Sequence, residues 1–98
     1  MLKKISKILR SPIKKKIILF FRENPHSVDS VRGISTWLNL KPEMVRKALE
    51  ELVKEGILIT HRGRTTTGYA YTQDKNILNC IEECLSIKDE KRSSDRSI

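Results

Sequence analysis

Residues 47–71, KALEELVKEGILITHRGRTTTGYAY, contain a helix, its stop signal and a pair of strands in unbroken succession. Ala48, Leu49, Leu52 and Val53 recur at the spacing of one helix face, and Gly56 stands where a glycine ends a helix. The runs ILITHR and GYAYT alternate between two faces and are rich in strand formers, so they pair as an antiparallel hairpin. The loop between them, about Gly63 to Gly68, brings Arg64 and three threonines, with Arg62 at its edge. Glycine, positive charge and hydroxyls can cradle a phosphate, or merely turn a chain whose glycines take positive φ. A Walker phosphate loop is excluded, because the G-x-x-x-x-G-K-[ST] spacing and its strand-to-helix setting are missing.

Upstream, the helix begins at Pro42, with Val45 on the inner face and Glu43 in the first turn, where the helix dipole favours an acid. NLKP (39–42) makes a tight turn. Ser30 caps a short helix before it, with Val31, Ile34, Trp37 and Leu38 as its buried positions. Gly33 weakens that helix, which implies close packing of another element there. NPHSVDS (24–30) is a loop with at most an extended pair around Ser27 and Val28. Ser11 and Pro12 open a helix that runs to about Glu23, its Ile13, Ile17, Ile18, Phe20 and Phe21 opposite Lys14, Lys15 and Lys16. MLKKISKILR (1–10) is a short basic amphipathic helix. Downstream, a helix from about Asp74 to Lys88 carries Ile77, Ile81, Cys84 and Leu85 on one stripe, and residues 89–98 are polar enough to predict a disordered tail.

A chain of 98 residues supports one modest core, and 38% apolar with 5% aromatic residues means that Ile, Leu and Val build it. The net charge of +8 points to a polyanionic partner. Eight lysines and arginines against Glu23 place +7 of it in residues 1–24. The longest apolar run, IILFF (17–21), is far short of the roughly 20 residues of a membrane span, and no signal-peptide pattern opens the chain. A cytoplasmic location is expected, with no membrane partner. Cys80 and Cys84 read as reduced, buried thiols, and neither a metal-ligand set nor a catalytic nucleophile with its base emerges. No enzyme activity, cofactor, metal or small-molecule substrate is expected.

Two helices joined by a tight turn and followed at once by a hairpin make a helix-turn-helix with a wing. The fold class is therefore α+β, a mainly helical winged helix-turn-helix with a two-stranded β-hairpin wing. Its parts are a basic N-terminal helix (1–10), the winged domain (11–73), a C-terminal helix (74–88) and the tail (89–98).

Over residues 9–73 the sequence resembles winged helix-turn-helix transcription regulators, most closely the ArsR-like group. Pro12, Lys14, Ile17 and Ile18 match that group's opening helix. Ile34 and Leu38, the turn at Asn39 and Leu40, the inner positions Val45, Leu49 and Leu52, and Gly56 match its helix-turn-helix, and HRGRTTTGYAYT (61–72) is similar to its wing. Lys41 stands where the group usually offers a Ser or Thr cap. The Cys-x-Cys of the metal-sensing branch is absent, which argues against metal sensing at that site.

The resemblance implies double-stranded DNA as partner, with the 42–55 helix in the major groove and the wing on the adjacent backbone or minor groove. Lys41, Glu43, Met44, Arg46 and Lys47 then face base edges or phosphates, Arg46 and Lys47 foremost, while Arg62, Arg64, Thr65 and Thr66 grip the backbone. A homodimer on a palindromic site is the corollary, with Ile77, Ile81, Cys84 and Leu85 as the dimerisation stripe. Each has a plainer alternative. The 42–55 helix carries Glu43, Glu50, Glu51 and Glu55 against Arg46, Lys47 and Lys54, a pattern that also suits a solvated face, and the C-terminal stripe also suits the protomer's own core. A winged helix that binds a protein instead of DNA is the main rival. The N-terminal lysines contact flanking phosphates, solubilise a packed helix or meet an anionic membrane, the last disfavoured by a short stripe without Trp or Phe.

Overall fold

A computed structural model describes residues 2–97, and side chains from residue 3 to residue 86. The order is α1 (Leu2–Leu9), α2 (Pro12–Glu23), β1 (Val28–Ser30), α3 (Val31–Leu38), α4 (Pro42–Lys54), β2 (Leu58–Arg62), β3 (Thr67–Tyr71) and α5 (Lys75–Ser97). This is an α+β winged helix. Helix starts follow their capping residues. Ser11 Oγ accepts the Lys14 backbone N–H at 3.4 Å with Pro12 at the first helical position, and Ser30 Oγ accepts the Gly33 N–H at 3.1 Å. Lys41 gives α4 no side-chain cap, so Pro42 and Glu43 alone suit its beginning.

Between α3 and α4, Asn39 takes the left-handed conformation at φ 55°, and the Leu40 N–H returns to the Ser35 carbonyl at 3.0 Å. Asparagine tolerates this geometry better than other side chains, which is why a residue other than glycine can make so sharp a turn. Gly56 does the same after α4 at φ 78°.

The hairpin is joined by a third strand. β3 lies between β2 and β1, both antiparallel to it, with Thr60 and Asp29 on either side of Tyr69. β1 falls in the stretch expected to be a loop, since three residues of sequence VDS carry no period that distinguishes a strand. It also explains Gly68, where a Cβ would lie 2.6 Å from Val28 Cγ1. Among the glycines, positive φ belongs to Gly56, so Gly63 and Gly68 serve for room and not for the turn geometry expected of them. The wing loop is four residues, 63–66, closed by the Gly63 N–H to the Thr66 carbonyl at 2.9 Å, and is shorter than the expected six.

One core unites the elements. Ile17, Ile18 and Phe21 of α2, Ile34 of α3, Leu49 and Leu52 of α4 and Ile81 of α5 are all fully buried. Each such side chain contributes about 1.5–3 kcal/mol relative to leaving it in water. Ile5, Ile8 and Leu9 bury α1 in the same core, where it meets α2 and α5.

Three expectations are corrected. Trp37 is 73% exposed, with the Phe20 ring beside it at 6.3 Å between centroids, because α3 turns Ile34 and not Trp37 to the core. Nothing closes on Gly33: its open side meets Ser30 Oγ and Asp29 Oδ1 of its own cap. α5 does not stop near Lys88, and its backbone is helical to Ser97, through residues expected to be a disordered tail. No Gly or Pro follows Lys75, so nothing in the chain interrupts the helix.

Candidate nucleic-acid interface

α4 buries Val45, Ala48, Leu49 and Leu52 and therefore turns the intervening positions outward. Glu43, Met44, Arg46 and Lys47 are exposed along its leading half, preceded by exposed Lys41. Met44 is 46% exposed, an apolar side chain in the middle of a charged strip. Arg62, Arg64, Thr65 and Thr66 are exposed on the wing.

The tertiary structure joins some of these and separates others. Arg46 shares an open hollow of about 400 Å³ with Thr65 and Thr66, lying between α4, the wing and the start of α3. Arg62 lies instead along a second hollow, with His61 and Val28. Two further charged residues line the first hollow, Arg32 from the first turn of α3 and Glu50 from α4. Arg32 escaped notice in the sequence as an ordinary polar position of a short helix. Its signal was its place two residues after the Ser30 cap, in the first turn of α3.

The trailing half of α4 is electrostatically different. Lys14 Nζ of α2 donates to Glu51 Oε2 at 2.5 Å, and Lys4 Nζ of α1 lies 3.1 Å from Glu55 Oε2. The Lys14 hydrogen bond and charge, helped by Lys47 and Lys54, hold the Glu51 carboxyl below its usual range. Two glutamates that made this helix neutral in composition are thus matched by lysines from other helices. Among the described residues, Glu43 and Glu50 have no ion-pair partner within 4 Å, and neither do Lys41, Arg46 or Lys47. What the leading half and the wing present to solvent is net positive.

The C-terminal stripe packs on the protomer's own core. Ile81 and Leu85 are buried against their own chain, with Ile77 and Cys84 half-buried beside them. α1 packs against α5. Arg22 of α2 fixes the outer side of α5 by a two-pronged bond to Glu82, at 2.7 and 2.8 Å.

Among the described residues no group of three or more His, Cys, Asp or Glu is placed to hold a metal ion. No helix there is long and apolar enough to cross a membrane.

No family model matches this chain, and no curated protein matches it. Solved structures are similar to it. A possible transcriptional regulator from Methanosarcina mazei Go1 superposes with a TM-score of 0.70 at 14% identity, covering 97% of this chain and 82% of that one. MepR, a transcription regulator of the Staphylococcus aureus multidrug efflux pump MepA, gives 0.76 at 14% identity over 98% and 73% of the two chains. A point mutant of S. aureus MepR bound to an oligodeoxyribonucleotide gives 0.73 at 14% identity over 97% and 72%. Identity this low establishes a shared fold.

Proposed function

We propose that this chain is a sequence-specific double-stranded-DNA-binding transcription regulator of the ArsR-like kind, without enzymatic activity, acting in the cytoplasm as a homodimer. α4 enters the major groove by its leading half, and the wing meets the adjacent backbone or minor groove. The observation that carries this is the charge partition of α4. Lys41, Arg46 and Lys47 face solvent beside a basic wing, while Glu51 and Glu55 are held by lysines of α2 and α1. A helix meant only to be solvated has no need of such partners from elsewhere in the fold. The structural likeness to MepR, one form of which was solved on an oligodeoxyribonucleotide, is consistent with the same use of the fold.

In this account Arg46 and Lys47, with Glu43 and Met44, lie on the base-reading edge. Lys41, Arg62, Arg64, Thr65 and Thr66 position the duplex through its phosphates. With Ile81 and Leu85 committed to the protomer core, the half-buried Ile77 and Cys84 beside them are the members of this stripe left for a dimer contact.

One observation favours a second reading. Trp37 stands 73% exposed beside Phe20, and exposed aromatic pairs of this sort are common at protein interfaces. Selection from random duplex DNA followed by sequencing separates the two. A palindromic consensus supports a dimeric DNA-binding regulator. A pool that stays random, together with no retention of duplex at low salt, favours the protein-interaction module.

A further inference from the structure

The hollow between α3, α4 and the wing is lined by two arginines, Arg32 and Arg46, together with Thr65 and Thr66. All four residues are exposed. Neither arginine has an ion-pair partner within 4 Å among the described residues. Two like charges brought into one concave site from different elements repel each other unless an anion lies between them. Glu50, which lines the same hollow, is one such anion. A single carboxylate balances one of the two charges and leaves the site net positive, with planar, multi-donor groups that suit the tetrahedral oxygens of a phosphate.

We infer that Arg32 and Arg46 together clamp one backbone phosphate of the bound duplex, with Thr65 and Thr66 donating to its oxygens. The clamp rests on the DNA-binding function proposed above and deepens it in two respects. It adds Arg32 to the interface, and it assigns Arg46 to positioning instead of base reading, leaving the specificity of α4 to residues on its other outward edge. Glu50 competes with the phosphate for the two arginines and so weakens duplex binding.

The test is the salt dependence of binding to a fluorescein-labelled random-sequence duplex, followed by anisotropy, for the full chain and for Arg32→Ala, Arg46→Ala, the double variant and Glu50→Gln. Binding through phosphates makes log K fall with log salt by about 0.9 for each phosphate neutralised. If both arginines hold one phosphate, each single substitution weakens binding by about ten-fold, the value of one charge-assisted bond, yet leaves the slope nearly unchanged. The double variant then loses about 0.9 of slope, and Glu50→Gln tightens binding a few-fold. A slope loss of about 0.9 in each single variant and about 1.8 in the double would show two separate phosphates and overturn the clamp. No change in any variant, with the unmodified chain still binding in a salt-dependent way, also overturns it while leaving the DNA-binding function standing. Failure of the unmodified chain to bind duplex DNA overturns both. Circular dichroism confirms that the variants fold, as expected for exposed side chains.

Discussion

The two halves of α4 lie on one core and carry opposite formal charge, and they meet their surroundings in different ways. The leading half sets Lys41, Arg46 and Lys47 against Glu43, and all four are exposed. The trailing half sets Lys54 against Glu50, Glu51 and Glu55, and two of those acids are paired by Lys14 and Lys4 from helices far away in sequence. A helix that is neutral by composition is therefore not neutral to a partner that approaches from its N-terminal end. Net charge along a helix counts what the chain carries; the fold decides what is presented.

The comparison breaks most thoroughly if the shared support is removed. Leu49 is fully buried beneath both halves, and Leu49→Ala is expected to cost about 2–5 kcal/mol of stability, read from urea unfolding. A loss under about 1 kcal/mol would mean that α4 is not seated on the core as described.

Away from α4, Tyr71 provides a control on the core itself. Its hydroxyl is buried without a hydrogen-bond partner among the described residues, and burial, reinforced by the nearby Glu82 carboxylate and opposed by Arg22, pushes its pKa up to about 12. The folded state therefore holds the phenol proton more tightly than the unfolded chain, whose value is near 10. Stability is full below that ordinary value and declines by about 2 kcal/mol as pH rises from 10 to 12. Tyr71→Phe should flatten this decline and leave neutral-pH stability equal or higher, since no bond is lost. A variant that is markedly less stable at neutral pH would indicate an unrecognised partner for the hydroxyl.

The charge partition is tested directly by Lys4→Ala combined with Lys14→Ala. Uncovering Glu51 and Glu55 should weaken duplex binding by about ten-fold at low salt, although neither lysine is placed in the groove. Stability should change by less than about 1 kcal/mol, since both pairs are partly exposed. Unchanged DNA affinity would mean that the trailing acids do not matter to the partner.

The smallest effect concerns acid pH. Because Lys14 lowers the Glu51 pKa, the pair contributes stability above the ordinary carboxylate value, and this is lost as pH falls through the lowered one. Glu51→Gln should make the acid limb of stability slightly shallower, measured by thermal melts between neutral pH and pH 3. An identical limb in the variant would remove Lys14 as a meaningful partner.

Much of the fold was legible because it rests on local rules. Ser11 with Pro12, Ser30, and the glycine after Lys54 mark helix ends by chemistry that needs no tertiary context. β1 was not legible, since its strand character comes from β3 lying alongside and not from VDS itself. Trp37 was misassigned because a large aromatic at helical spacing usually points inward, and here Ile34 satisfies that need. The exposed strip of α4 and the wing followed from the same periodicity that located the core. The lysine partners of Glu51 and Glu55, and the meeting of Arg32 with Arg46, bring together residues from separate helices, and no spacing rule along the chain encodes them.

The most direct test is anisotropy titration of a duplex at 50 mM and 200 mM salt. With at least four phosphates held by α4, the clamp and the wing, affinity should fall by about a hundred-fold or more between the two conditions. Binding that does not respond to salt, or that is absent at 50 mM, would contradict the assignment of this face to DNA.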